Sequence, residues 1–166
     1  MAAGPTYTPI ATQTLGSAAA TVTFSSISGI YTDLVLIMNV KGSAANYPSL
    51  RFNGDTGSNY SRTILSGNGS AASTARGTSE TAANINYNSQ TSTSEFNYNS
   101  ITYIQNYSNS TTYKTQLTRA NQAAIGTDVI VTLWRNTAAI TEITAIMNTG
   151  NYAVGSTLTL YGIAAA

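Results

Sequence analysis

With 166 residues the chain has room for one domain, and only 8% of them are charged, against about 25% in an ordinary soluble protein. Histidine and cysteine are both absent, which removes Ser-His-Asp and Cys-His catalysis, imidazole or thiolate metal sites, haem ligation and disulfide frameworks. Seven basic against six acidic side chains leave a net charge of +1, so no field exists to neutralise phosphates or hold anionic lipid. Neither nucleic acid nor a membrane is expected as a partner.

Surface hydration must come instead from the 62 Ser, Thr and Asn side chains. A net charge near zero does little to keep copies apart and favours association, so the composition points to a subunit of an assembly. Leu, Ile, Val and Phe number 32, close to the lower edge for a folded chain, but the high net charge that accompanies disorder is missing. The opening Met1-Ala2-Ala3-Gly4-Pro5 lacks the basic and apolar regions of a secretory signal. No apolar run is long enough to span a bilayer.

Along the chain, apolar and polar residues alternate and helical periodicity is scarce, which predicts short strands between Gly, Asn and Ser punctuation. After a short N-terminal arm, residues 1–10, strands are expected near Tyr7 to Leu15, Ala20 to Ile27, Tyr31 to Val40, Ser49 to Asn53, Ser100 to Tyr107, Tyr113 to Gln122, Asp128 to Arg135, Ile140 to Met147 and Thr157 to Ile163. That succession suits an all-β fold, a single antiparallel β-sandwich.

Two of these segments are apolar on both sides. In the first, Leu34, Leu36, Met38 and Val40 occupy one face and Val35 and Ile37 the other; in the second, Val129, Val131 and Leu133 oppose Ile130 and Trp134. One sheet is therefore expected to have its outer face covered, by a loop of the same chain or by a neighbouring subunit. The stretch 66–94, rich in Gly, Ala, Ser, Thr and Asn, reads as a long polar loop and a partner-contacting arm.

Asn53-Gly54, after Leu50-Arg51-Phe52, supplies the positive φ angles of a tight reversal. Asp55 is placed to bond the backbone ahead of it or to pair with Arg51 or Arg62. The oxygen-rich loop through Asn59 lacks the acidic density and closing bidentate Glu of a calcium site. Asp33, Asp55 and Asp128 sit at strand starts or turns, where carboxylates are commonly structural, and Glu80, Glu95 and Glu142 complete the acidic set. No catalytic residue, cofactor or metal ligand is assigned, and the chain is not expected to be an enzyme. Eleven tyrosines suit both strand packing and recognition; Tyr87, Tyr98, Tyr103 and Tyr107, with Tyr7, Pro9 and Ile10 of the arm, are the candidate partner contacts.

Several blocks together resemble a β-sandwich module of tailed-bacteriophage virion proteins. They are Tyr31-Thr32-Asp33-Leu34-Val35-Leu36; Leu50-Arg51-Phe52-Asn53-Gly54-Asp55-Thr56-Gly57-Ser58-Asn59-Tyr60-Ser61; Leu133-Trp134-Arg135 with Ala139-Ile140-Thr141; Gly155-Ser156; and Leu160-Tyr161-Gly162-Ile163. The resemblance runs from about Ile10 to Ile163 and implies a jelly-roll-like sandwich, with Asn53 and Gly54 as the reversal and Trp134 and Tyr161 as packing anchors. It further implies a structural protein of the virion, made in the host bacterial cytoplasm. The use expected is a capsid decoration (cement) protein, a homotrimer that binds the major capsid protein at the outer shell surface, since no coiled or repetitive shaft precedes the first strand. The alternative is a tail-fibre or receptor-binding module recognising host surface glycans.

Overall fold

Branched aliphatics, threonine and tyrosine dominate the stretches between glycine and asparagine turns, and such residues favour the pleated backbone. Accordingly, the described residues of the computed structural model, 6–87 and 97–164, contain strands and no helix. The strands are β1 (Tyr7–Thr14), β2 (Thr21–Phe24), β3 (Asp33–Val40), β4 (Pro48–Phe52), β5 (Tyr60–Gly67), β6 (Ala72–Glu80), β7 (Ala83–Asn84), β8 (Tyr98–Gln105), β9 (Lys114–Gln122), β10 (Gly126–Trp134), β11 (Ile143–Met147) and β12 (Thr157–Ile163). They form an eight-stranded sheet in the order β1-β12-β3-β8-β9-β10-β5-β6 and a four-stranded sheet in the order β2-β11-β4-β7. All pairings are antiparallel.

The two sheets form a sandwich whose core follows from the alternation. Leu34, Leu36, Met38 and Val40 of β3, with Leu158 and Leu160 of β12, meet Val22 and Phe24 of β2, Leu50 and Phe52 of β4 and Ile143, Ala145 and Met147 of β11. At one end Trp134 lies between Tyr60, stacked at 6.2 Å and 18°, and Phe52, edge-on at 5.5 Å. Its indole Nε1 donates to Asp55 Oδ2 at 2.7 Å. Tyr31 closes another part of the core: its ring lies where a Cβ on Gly162 would sit, 2.3 Å away, so only glycine fits there.

Asn53 and Gly54 take φ values of 51° and 66°, the left-handed pair that a tight reversal requires. The Asn53 side chain also bridges to the 139–142 segment, accepting from Thr141 N at 2.9 Å and donating to Ala139 O at 2.7 Å. Asp55 does bond the backbone ahead, accepting from Gly57 N at 2.8 Å and from Asn59 Nδ2 at 2.9 Å. Arg62 pairs instead with Glu80, 3.3 Å away.

Two expectations are corrected here. Residues 66–87 are not a polar loop, because Ala72–Glu80 forms β6 and Ala83–Asn84 forms β7; residues 88–94 lie outside the described residues. β6 needs no large apolar side chains, since it is an edge strand that takes its hydrogen bonds from β5 and lies mostly in water. The N-terminal arm is likewise not free from Tyr7 onward, because β1 pairs with β12 from Tyr7↔Ile163 to Thr14↔Thr157.

Candidate functional site

Registers across the larger sheet align outward-pointing residues into rows. The first runs Pro9–Tyr161–Val35–Tyr103–Leu117–Val131–Thr63 and the second Thr12–Thr159–Ile37–Ile101–Arg119–Val129–Leu65. From β12 to β5 this face is roughly 24 Å wide, at about 4.8 Å per strand step. Ile37, Tyr103, Leu117, Val129, Val131 and Leu65 on it are 39–55% exposed. Arg119 is the charged residue at its centre. Among the described residues no loop covers this face at β10. Val35 is the exception at 1% exposure; in register it lies between Tyr161 and Tyr103.

Tyr7 extends the face across β1. Its ring packs edge-on against Tyr161 at 6.3 Å, and the charge and hydrogen bonding of the adjacent Tyr103 phenol raise its pKa above the ordinary tyrosine value. Three tyrosines from β1, β8 and β12 thus border the aliphatic rows. Such a cluster presents flat apolar area with polar tips, chemistry suited to protein contact.

The candidate contacts divide accordingly. Tyr7, Pro9 and Tyr103 lie exposed on or beside the face, and Ile10 is half-buried against the core. Tyr87 is exposed after β7, beside the smaller sheet. Tyr98 and Tyr107 are corrected: both have 0% exposure and offer nothing to a partner. Their hydroxyls serve the interior, Tyr98 donating to Ile85 O at 2.8 Å and Tyr107 donating to Ser28 O. Tyrosine content alone does not tell which phase of a strand faces inward. Leu117, central to the first exposed row, was absent from the sequence-based contacts because it is an isolated aliphatic between Gln116 and Thr118; Leu65 was absent because no strand was expected at β5.

The described carboxylates have structural partners, and Glu95 lies outside the described residues. Asp33 accepts from Asn106 N at 2.7 Å, and Asp128, buried, accepts from Tyr87 N at 2.8 Å. Burial disfavours a charge on Asp55, but hydrogen bonds from Trp134, Asn59, Gly57 and Asn136 outweigh it, and its pKa is held below the usual carboxylate value. Burial pushes the neighbouring Tyr60 phenol up to about 12. Among the described residues no group of three or more acidic side chains is placed to hold a metal ion. Comparison with protein-family models, curated proteins and solved structures finds no match to this chain.

Proposed function

We propose that the chain is a structural virion protein of a tailed phage, a capsid decoration protein that trimerises and binds the major capsid protein on the outer shell surface. The observation that carries the assembly part of this reading is the apolar face: six large side chains on five adjacent strands stand 39–55% exposed. Large contiguous apolar patches on soluble proteins mark sites of interaction. A net charge of +1 adds little repulsion between neighbours. The phage setting is supported by the sequence blocks from Tyr31 to Ile163 that resemble virion modules.

We also read the sandwich as a jelly-roll variant. With the β8–β9 hairpin set aside as an insertion, and β1 and β12 as edge additions, the order becomes β3-β10-β5-β6 facing β2-β11-β4-β7. That order matches two interleaved Greek keys, an architecture used by viral capsid and lectin domains.

The test is binding to empty capsids. A decoration protein binds with fixed stoichiometry, raises the capsid melting temperature because it binds the assembled state, and is present in many copies per particle. No binding and no thermal shift would refute the proposal, and a handful of copies at the tail would favour the receptor-binding alternative.

A further inference from the structure

Asn-Gly occurs twice in the chain, at Asn53-Gly54 and at Asn68-Gly69. All four residues are exposed, yet the fold treats the two side chains differently. The Asn53 amide is tied at both ends: Nδ2 donates to Ala139 O at 2.7 Å, and Oδ1 accepts from Thr141 N at 2.9 Å and Glu142 N at 3.1 Å. In the connection between β5 and β6, Asn68 Oδ1 accepts from Ala71 N at 2.8 Å, Ser70 Oγ at 3.0 Å and Ser70 N at 3.1 Å. Asn68 Nδ2 and the backbone N–H of Gly69 have no partner among the described residues.

That arrangement favours one reaction. A Cβ at Gly69 would meet nothing within 4 Å, so its nitrogen stands open beside the Asn68 side chain. With its proton taken by hydroxide, this nitrogen attacks Asn68 Cγ; the N–Cγ bond forms and negative charge develops on Oδ1, where the three donors already point. The Cγ–Nδ2 bond then breaks and ammonia leaves with a proton from water. Water next opens the cyclic imide at either carbonyl, leaving aspartate or isoaspartate. We propose that Asn68 is a site of spontaneous deamidation promoted by the Ser70 and Ala71 donors, and that Asn53 is protected because its leaving amide is held.

The product acts on the edge of the larger sheet. One added carboxylate takes the net charge of +1 to neutrality. In the isoaspartyl form the main chain runs through the side-chain carbon, so the carbonyl that Ser70 and Ala71 bond is displaced. Gly126 of β10 lies against this backbone: a Cβ there would fall 2.4 Å from Gly67 O and 3.1 Å from Asn68 Cα. A lengthened backbone therefore finds no room towards β10. β6 pairs with β5 alone, so its first residues lose order. This inference stands independently of the assembly reading.

The experiment is peptide mapping by mass spectrometry after the folded full chain, and a sample unfolded in urea, have been held in mildly alkaline buffer. In the folded chain Asn68 is expected to convert about tenfold faster than Asn53, whereas in urea, where both lose their partners, the two rates should converge. Ser70→Ala removes a hydroxyl donor from Oδ1 and should slow Asn68 severalfold in the folded chain only. The isoaspartyl form, separated by anion exchange, should exchange its amide hydrogens faster in residues 72–75 and unchanged in β3. A folded chain in which Asn68 stays intact, or converts no faster than Asn53, would overturn the proposal. An unchanged folded rate in Ser70→Ala would overturn the role of the donors, and unaltered exchange in β6 the effect on the sheet edge.

Discussion

β3 and β9 lie two places apart in one sheet and bury opposite chemistry. The inner face of β3 carries Leu34, Leu36, Met38 and Val40, at 0–1% exposure; that of β9 carries Lys114, Gln116, Thr118, Ala120 and Gln122, at 0–2%. What lies opposite explains the difference. β3 meets the aliphatic side chains of the smaller sheet, whereas Gln116 and the neighbouring Thr132 supply hydrogen bonds to the backbone carbonyl of Asn84. Thr118 shares a hydrogen bond with Thr102 at 2.9 Å, and Lys114 Nζ donates to the carbonyls of Thr112 and Thr137. Buried backbone must be satisfied, so this part of the sheet turns polar groups inward and places Leu117, Val129 and Val131 on the water side. The apolar face is thus the counterpart of a polar interior.

The largest test of this contrast is at the aromatic end of the core. Trp134→Ala should cost about 3–5 kcal/mol, read from urea unfolding, because it opens a cavity between Phe52 and Tyr60 and removes a donor from Asp55. A cost below about 1 kcal/mol would show that this end is loosely packed. The next effect is diagnostic in sign. Replacing Gln116 with Leu and Thr132 with Val makes the inner face of β9 and β10 more apolar, yet it should destabilise by about 1–3 kcal/mol, because the Asn84 carbonyl loses both donors. Stabilisation would break the argument that hydrogen bonding dictates the polarity of that face.

Acid titration sharpens the contrast at Asp55. Its folded pKa lies below the ordinary value, near 3.9 for an unperturbed aspartate, so the stability it contributes is fully present above that value. That contribution declines as pH falls through the folded pKa. Asp55→Asn should flatten the loss of stability below about pH 4, measured by chemical denaturation at successive pH values; an unchanged slope would place the acid sensitivity elsewhere. The smallest effect is expected on the outer face. Replacing Leu117, Val129 and Val131 together with Thr keeps strand propensity, so it should change the stability of the isolated chain by no more than about 1 kcal/mol. A loss as large as that of Trp134→Ala would mean that this face is already packed within one chain.

Much of the fold was legible because alternation marks half-buried strands. Both faces of β3 and the Asn53-Gly54 reversal could be read from residue order. β5 and β6 could not. Tyr60 and Ile64 are buried on a strand of otherwise mixed polarity, and β6 draws its order from a neighbour's backbone rather than from apolar side chains. That Val35 and Ile37 oppose Leu34 and Leu36, and Val129 and Val131 oppose Ile130 and Trp134, was visible in residue order, but which of the two faces stays exposed was not, since cover depends on what other elements do.

Sedimentation velocity of the wild-type chain and of the triple Thr variant, over the full accessible concentration range, probes the apolar face most directly. Contact through Leu117, Val129 and Val131 predicts a trimer for the wild type and a folded monomer for the variant. A wild type that stays monomeric throughout, or a variant that still assembles fully, would contradict the assignment of this face to protein contact.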